Sequence, residues 1–220
     1  MKKVILLSGP DKTKYFSKRL TQIIKSKCNN PHNMVVIPAD ANNIKKNDKQ
    51  FNGNEEVVGV YKNFKKLYPE LENIILLDSR IDSKKGKDYL KNADIIYLLG
   101  GDPFIQLKYL RDNGYDDIIC NTNALLMGVS AGSMNLSKDS YYSKDEDYKE
   151  SIIYKGLGIT SITIDPHFYK SNKEQVEEIK KYSKDRRIIG LPNRSIIVID
   201  KDIKYIGRVY IYENGNLIKI

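Results

Sequence analysis

The chain has 220 residues and a formal net charge of +9, with 37 basic and 28 acidic side chains; 40% of its residues are hydrophobic and 30% charged. That is the composition of a globular chain long enough to build one substantial core, and no apolar run approaches the ~20 residues of a membrane span. The lysines are spread along the chain and interleaved with acids, as in "KSNKEQVEEIKKYSKDRR", which argues for a solvated basic surface and against a specific nucleic-acid partner.

Two cysteines, Cys28 and Cys120, do not make a disulfide framework, and two histidines leave too few ligands for a dedicated zinc site. The opening "MKKVILLSGP" lacks the longer apolar region of a secretion signal and reads as a first β-strand. The expectation is a cytoplasmic protein with reduced thiols.

Along the chain, short runs rich in Ile, Leu and Val recur at Val4–Leu7, Met34–Ile37, Ile74–Leu77, Ile95–Leu99 and Leu125–Gly128. They are continuous rather than alternating, the pattern of strands buried on both faces of a parallel sheet. Helix-length segments lie between them, at Lys14–Lys27, Glu55–Tyr68 and Pro103–Asn113. Ser137–Glu150, "SKDSYYSKDEDYKE", reads as an exposed polar loop, and Ser171–Lys184 as an amphipathic helix. Ile188–Leu191, Ser195–Ile199, Arg208–Tyr212 and Leu217–Ile220 follow as strands, the last two joined by "ENGN", whose Asn-Gly pair signals a hairpin. The alternation predicts an α/β three-layer sandwich with a mostly parallel central sheet and a C-terminal β-hairpin, residues 1–220 forming one domain.

"LLMGVSAGSM" at Leu125–Met134 holds the candidate chemistry. Gly128–Gly132 matches G-x-S-x-G, in which a serine sits on a strained strand-to-helix turn and flanking glycines relieve the crowding. A serine nucleophile needs a base. His32 lies in the polar turn "CNNPHN"; His167 follows an apolar run in "TIDPHFYK", at the end of a strand and so at the same carboxyl edge of the parallel sheet as Ser130. A third group must orient the imidazole. Asp145, Glu146, Asp147, Asp165 and Asn193 all qualify by chemistry. In "YLLGGDPFIQL", Gly100 and Gly101 let the backbone come close to a ligand and direct N–H groups at a developing oxyanion. Asp102 reads as the N-cap of the helix that begins at Pro103, and also as a substrate contact. Asp165, Asn193 and Arg194 are the other substrate-binding candidates.

"LLGGDPFIQL", "GVSAGS" and "DPHF", in that order, resemble the peptidase E and cyanophycinase family of serine peptidases, which share a fold with class I glutamine amidotransferases. The spacing of 37 residues from Ser130 to His167 fits that family. The resemblance implies Ser130 as nucleophile, His167 as general base, an oxyanion hole from the N–H groups of Gly101 and Ala131, and an aspartate in the loop after the elbow, at or near Asp145, completing the triad. Family members often have an acidic residue where this chain has Asn193, a departure that favours the 145–147 loop as the source of the third group. "GGD" is closer to the cyanophycinase side, whereas the chain length is closer to the dipeptidase. The implied activity is hydrolysis of small peptides after an N-terminal aspartyl residue, without metal or cofactor, with a small peptide as partner and room for a homodimer. The competing readings are a cyanophycinase-like β-aspartyl peptidase and a catalytically silent family member that binds or regulates.

Overall fold

The computed structural model of the chain describes residues 2–9, 16–54 and 59–218. Strands and helices are numbered in chain order. Five strands, β1 (Val4–Leu7), β2 (Asn33–Ile37), β3 (Asn73–Leu76), β4 (Ile95–Leu98) and β5 (Leu125–Val129), pair in parallel. Two later strands, β10 (Ile196–Ile199) and β11 (Ile203–Ile206), extend the sheet antiparallel beyond β1, giving the order β11-β10-β1-β5-β4-β2-β3.

The parallel strands are apolar throughout because both faces are covered. Alternate residues of β1 go opposite ways. Val4 and Leu6 pack with Leu90, Leu110, Ile119 and Met134, whereas Ile5 and Leu7 pack with Leu20, Ile24 and Phe64. The first group brings in helices α4 (Ser83–Lys91), α5 (Pro103–Asp112), α6 (Asp116–Asn121) and α7 (Ala131–Asn135); the second brings in α1 (Lys18–Lys27) and α3 (Val60–Leu67). Three layers result, as the sequence pattern predicts.

The second half departs from one continuous sheet. Strands β8 (Thr163–Pro166), β9 (Ile188–Leu191), β12 (Tyr210–Glu213) and β13 (Asn216–Ile218) form a separate four-stranded sheet, ordered β13-β12-β9-β8. Helix α8 (Lys173–Tyr182) covers it, with Ile179, Phe168, Ile188 and Tyr212 in a smaller core. The "ENGN" hairpin is present between β12 and β13: Asn214 and Gly215 have φ of 52° and 74°, the paired positive values of a tight hairpin turn.

Three expectations need correction or limits. Part of the supposed loop 137–150 is structured: β6 (Asp139–Tyr142) pairs with β7 (Ile152–Lys155), and Ser137, Ser140 and Tyr141 are buried. Its polar composition misleads because the serine hydroxyls donate to buried carbonyls, Ser137 to Ile162 at 2.5 Å and Ser140 to Met134 at 2.6 Å. The first helix begins at Lys18, capped by Ser17, and α3 begins at Val60. Lys14 and Tyr15, and residues 55–58, expected to be helical, lie outside the described residues. Helix α2 (Ile44–Asn52) was not expected at all; Asn43 caps it.

Candidate active site

Ser130 follows β5 directly and precedes α7, with φ 52° and ψ −117°. A non-glycine residue adopts that region only under tertiary constraint. The constraint comes from both neighbouring glycines. A Cβ on Gly128 would stand 2.5 Å from the Ser133 nitrogen, and one on Gly132 would stand 2.2 Å from the Leu98 carbonyl oxygen. Only glycine lets α7 lie this close to β4 and β5. Ser133 then locks the turn to β1: the Leu7 N–H donates to its Oγ at 2.9 Å, and that hydroxyl donates to the Leu7 carbonyl at 2.9 Å.

His167 Nε2 lies 2.8 Å from Ser130 Oγ, and its Nδ1 lies 2.6 Å from Asn193 Oδ1. His167 has φ 57°. Its N–H donates to Ser8 Oγ at 2.8 Å, and the next residue, Phe168, is buried against Gly190. The strained turn is thus anchored on both sides, to the end of β1 and to the second core. The expectation that histidine and serine share one sheet edge is corrected: Ser130 follows β5 of the large sheet, whereas His167 follows β8 of the small one, and the Ser130–His167 contact joins the two. Asn193 stands between β9 and β10, so it comes from the segment joining the sheets. A Cβ on Gly9 would approach Asn193 Oδ1 to 2.7 Å, which makes glycine the residue that fits there. His32, by contrast, pairs with Glu72 at 3.2 Å on the exposed surface.

Asp145, expected to complete the triad, is otherwise engaged. Its carboxylate accepts from the Tyr142 hydroxyl and from the N–H groups of Asp147 and Tyr148, closing a turn of its own loop. Burial opposes its charge, but those hydrogen bonds prevail and hold the carboxyl below its ordinary range. It makes no hydrogen bond to His167 among the described residues; the imidazole's partner on the Nδ1 side is Asn193. Asp145 lines, with Glu146, Ser143, Tyr169 and Gln175, a cleft of about 790 Å³ that opens beside His167.

Asp102 caps α5 through Phe104 and Ile105 N–H, and its other oxygen accepts from Tyr148 at 2.8 Å. Both oxygens are therefore committed to holding the turn and the 145–150 loop. Asp165 is 1% exposed. Ser143 Oγ donates to it at 2.5 Å and Gln175 Nε2 at 3.1 Å, and burial, only partly offset by these bonds, pushes its carboxyl up to about 7. Both of its oxygens are taken up by these two bonds. Arg194 neighbours Asn193 with φ 68°, and its N–H donates to the Gly9 carbonyl at 3.2 Å. Gly101, at φ 148°, packs against Ala39, where a Cβ would come to 2.6 Å, and Gly100 faces Ser130.

Sequence reasoning missed the buried network behind these loops. Asn135 Nδ2 donates to the Pro103 carbonyl at 2.9 Å and to Gln106 Oε1 at 3.0 Å, and Gln106 Nε2 donates to the Leu99 carbonyl at 3.1 Å. This ties the glycine turn to the serine elbow. Two amides at helical positions that face inward were the only sequence signal.

Among the described residues no group of His, Cys, Asp and Glu is arranged to hold a metal, and no helix is long and apolar enough to cross a membrane. Comparison with known proteins agrees with the geometry. The chain is 26% identical over 166 residues to peptidase E of Nostoc sp. (strain PCC 7120), an alignment covering 70% of this chain and 66% of that protein. The fold resembles a peptidase E-type protein of Listeria monocytogenes EGD-e (22% identity, TM-score 0.63, 93% of this chain and 98% of that one). It also resembles a peptidase from an acI-B1 Actinobacterium (19% identity, TM-score 0.69, 100% and 94%). The sequence model of peptidase family S51 matches residues 4–206, from the first strand through β11, and the chain belongs to that family.

Proposed function

We propose that this protein is a serine peptidase that cleaves small peptides after an N-terminal aspartyl residue. One observation carries the reading: the unbroken run from Ser130 Oγ to His167 Nε2 (2.8 Å) and from His167 Nδ1 to Asn193 Oδ1 (2.6 Å), built on a serine at φ 52°. In the mechanism Ser130 attacks the peptide carbonyl while His167 takes its proton at Nε2. The tetrahedral oxyanion is met by the N–H groups of Gly101 and Ala131. His167 then donates its proton to the leaving amine, and water, deprotonated by the same imidazole, releases the acyl group. Asn193 accepts from Nδ1–H and keeps Nε2 free as the base. The chemistry needs neither metal nor cofactor, and a cytoplasmic location suits it.

For the aspartyl side chain, support comes from Lys46 on α2. Its ammonium lies 3.9 Å from where a Cβ on Gly101 would stand, beside the proposed oxyanion hole. A cyanophycinase-like β-aspartyl preference is the second reading. It is favoured by Asp145, Glu146, Glu174 and Glu178 in the cleft beside His167, where they outnumber Lys144 and Lys149 and suit a basic residue on one side of the bond. Hydrolysis of a panel of Asp-X, β-Asp-X and other dipeptides separates the two. Turnover of neither class would favour the catalytically silent reading.

A further inference from the structure

We propose that Tyr169 is a positioning residue for this triad: its hydroxyl anchors the Asn193 carboxamide so that Oδ1 stays on His167 Nδ1. The inference rests on the serine-peptidase reading and extends it to a side chain that hydrogen-bonds to neither Ser130 nor His167 among the described residues.

A carboxylate in the third position holds an imidazole by a charge-assisted bond and offers two equivalent oxygens. A carboxamide offers one acceptor, and its bond to the ring is roughly half as strong. Asn193 is also exposed, so water competes for both ends of its amide. A neutral third group therefore needs a second point of attachment. The Asn193 Nδ2 finds it by donating to the Tyr169 hydroxyl at 3.1 Å. Ser8 Oγ approaches Oδ1 only at 3.5 Å, too long to hold the amide alone.

Tyr169 is itself fixed relative to the histidine. Its N–H donates to Gln175 Oε1 at 2.9 Å; Gln175 Nε2 donates to Asp165 at 3.1 Å; and Asp165 stands two residues before His167 on the same chain. The hydrogen bonds run from His167 through Asn193 to the Tyr169 hydroxyl, and from the Tyr169 backbone N–H through Gln175 to Asp165 on β8, the strand that His167 follows. With Oδ1 held against Nδ1, that nitrogen carries the proton and Nε2 keeps the lone pair that faces Ser130. An amide free to turn into water would leave the tautomer to the ring's own preference, which in solution favours the proton on Nε2.

The test is Tyr169→Phe, which removes one oxygen from a side chain 55% exposed. The imidazole ¹⁵N shifts of His167 report the tautomer whether or not a peptide is turned over, and with two histidines in the chain they are assigned by His32→Gln. The wild type is expected to be mainly Nδ1–H, and Tyr169→Phe to shift toward Nε2–H. On any cleaved peptide kcat falls about three- to tenfold with KM unchanged. In an Asn193→Asp background, where the carboxylate holds the ring unaided, adding Tyr169→Phe changes kcat less than about twofold. An unchanged tautomer ratio in Tyr169→Phe would overturn the proposal. So would an equal fold-loss in both backgrounds, which would make Tyr169 a substrate contact of the cleft it lines. A wild-type ring biased to Nδ1–H, lost in Tyr169→Phe, with no peptide cleaved by any variant, would support the positioning role while overturning the peptidase reading.

Discussion

Asp165→Asn tests what the buried carboxyl does to stability as pH rises. The Asp165 carboxyl is 1% exposed, faces no cation among the described residues, and is pushed up to about 7 by burial against hydrogen bonds from Ser143 and Gln175. An unfolded chain releases that proton near its ordinary value of 3.8. Between pH 4 and 7 the folded protein therefore holds a proton that the unfolded chain has lost, so stability falls as pH rises through this window and levels off above about 7. A gap of about three pKa units corresponds to about 4 kcal/mol. Asparagine is nearly isosteric and can bond both Ser143 and Gln175 without a charge. The chain has 16 tyrosines and no tryptophan, so urea unfolding is followed by far-ultraviolet circular dichroism. The variant's stability relative to wild type should rise by about 3 kcal/mol between pH 4.5 and pH 8, because roughly 1 kcal/mol of the full gap has already been lost by pH 4.5. Titrations elsewhere, such as those of Asp139 and Glu174, cancel in the difference. A wild-type-to-variant difference that is the same at both pH values would refute the reasoning.

Other outcomes follow from the same geometry. Gly132→Ala drives a Cβ into the Leu98 backbone at 2.2 Å, and should cost about 1–3 kcal/mol in urea unfolding while abolishing activity by shifting the elbow. Asn193→Ala should lower kcat/KM by about 10²–10⁴, whereas Asp145→Asn, whose carboxylate serves its own turn, should change it less than about threefold; the reverse ranking would return the third position to Asp145. Lys46→Met should raise KM about tenfold for aspartyl dipeptides and leave asparaginyl analogues unchanged. Equal effects on both would remove Lys46 from carboxylate recognition.

The five parallel strands were legible because burial on both faces leaves no polar residue to interrupt an apolar run, and α5 because Asp102 and Pro103 mark its start. Helix α2 was not: "IKKNDKQFN" has few apolar positions, and its one fully buried residue is Asn47, whose side chain donates to the Asp40 carbonyl at 2.9 Å. Strand β6 hid in a polar stretch for the same reason, its hydroxyls being satisfied inside the protein: Ser140 by the Met134 carbonyl, Tyr141 by Ser151 and Tyr142 by Asp145. The serine elbow was readable locally, since Gly128 and Gly132 relieve specific clashes a few residues away. The group beside His167 Nδ1 was legible only as one of five candidates. Asn193 meets His167 only because β9 leaves the small sheet and β10 enters the large one, a pairing across the whole chain that spacing does not encode. Asp145 had the right charge in a nearby loop, and its engagement by Tyr142 becomes visible only once β6 is seen to form.

The nucleophile is the centre of the account, and the most direct measurement compares wild type with Ser130→Ala on the dipeptide panel, alongside labelling of each by a fluorophosphonate. Wild type should cleave an aspartyl peptide and take up one label, and the variant should do neither while unfolding at the wild-type urea concentration. Peptide cleavage by Ser130→Ala at the wild-type rate would contradict it.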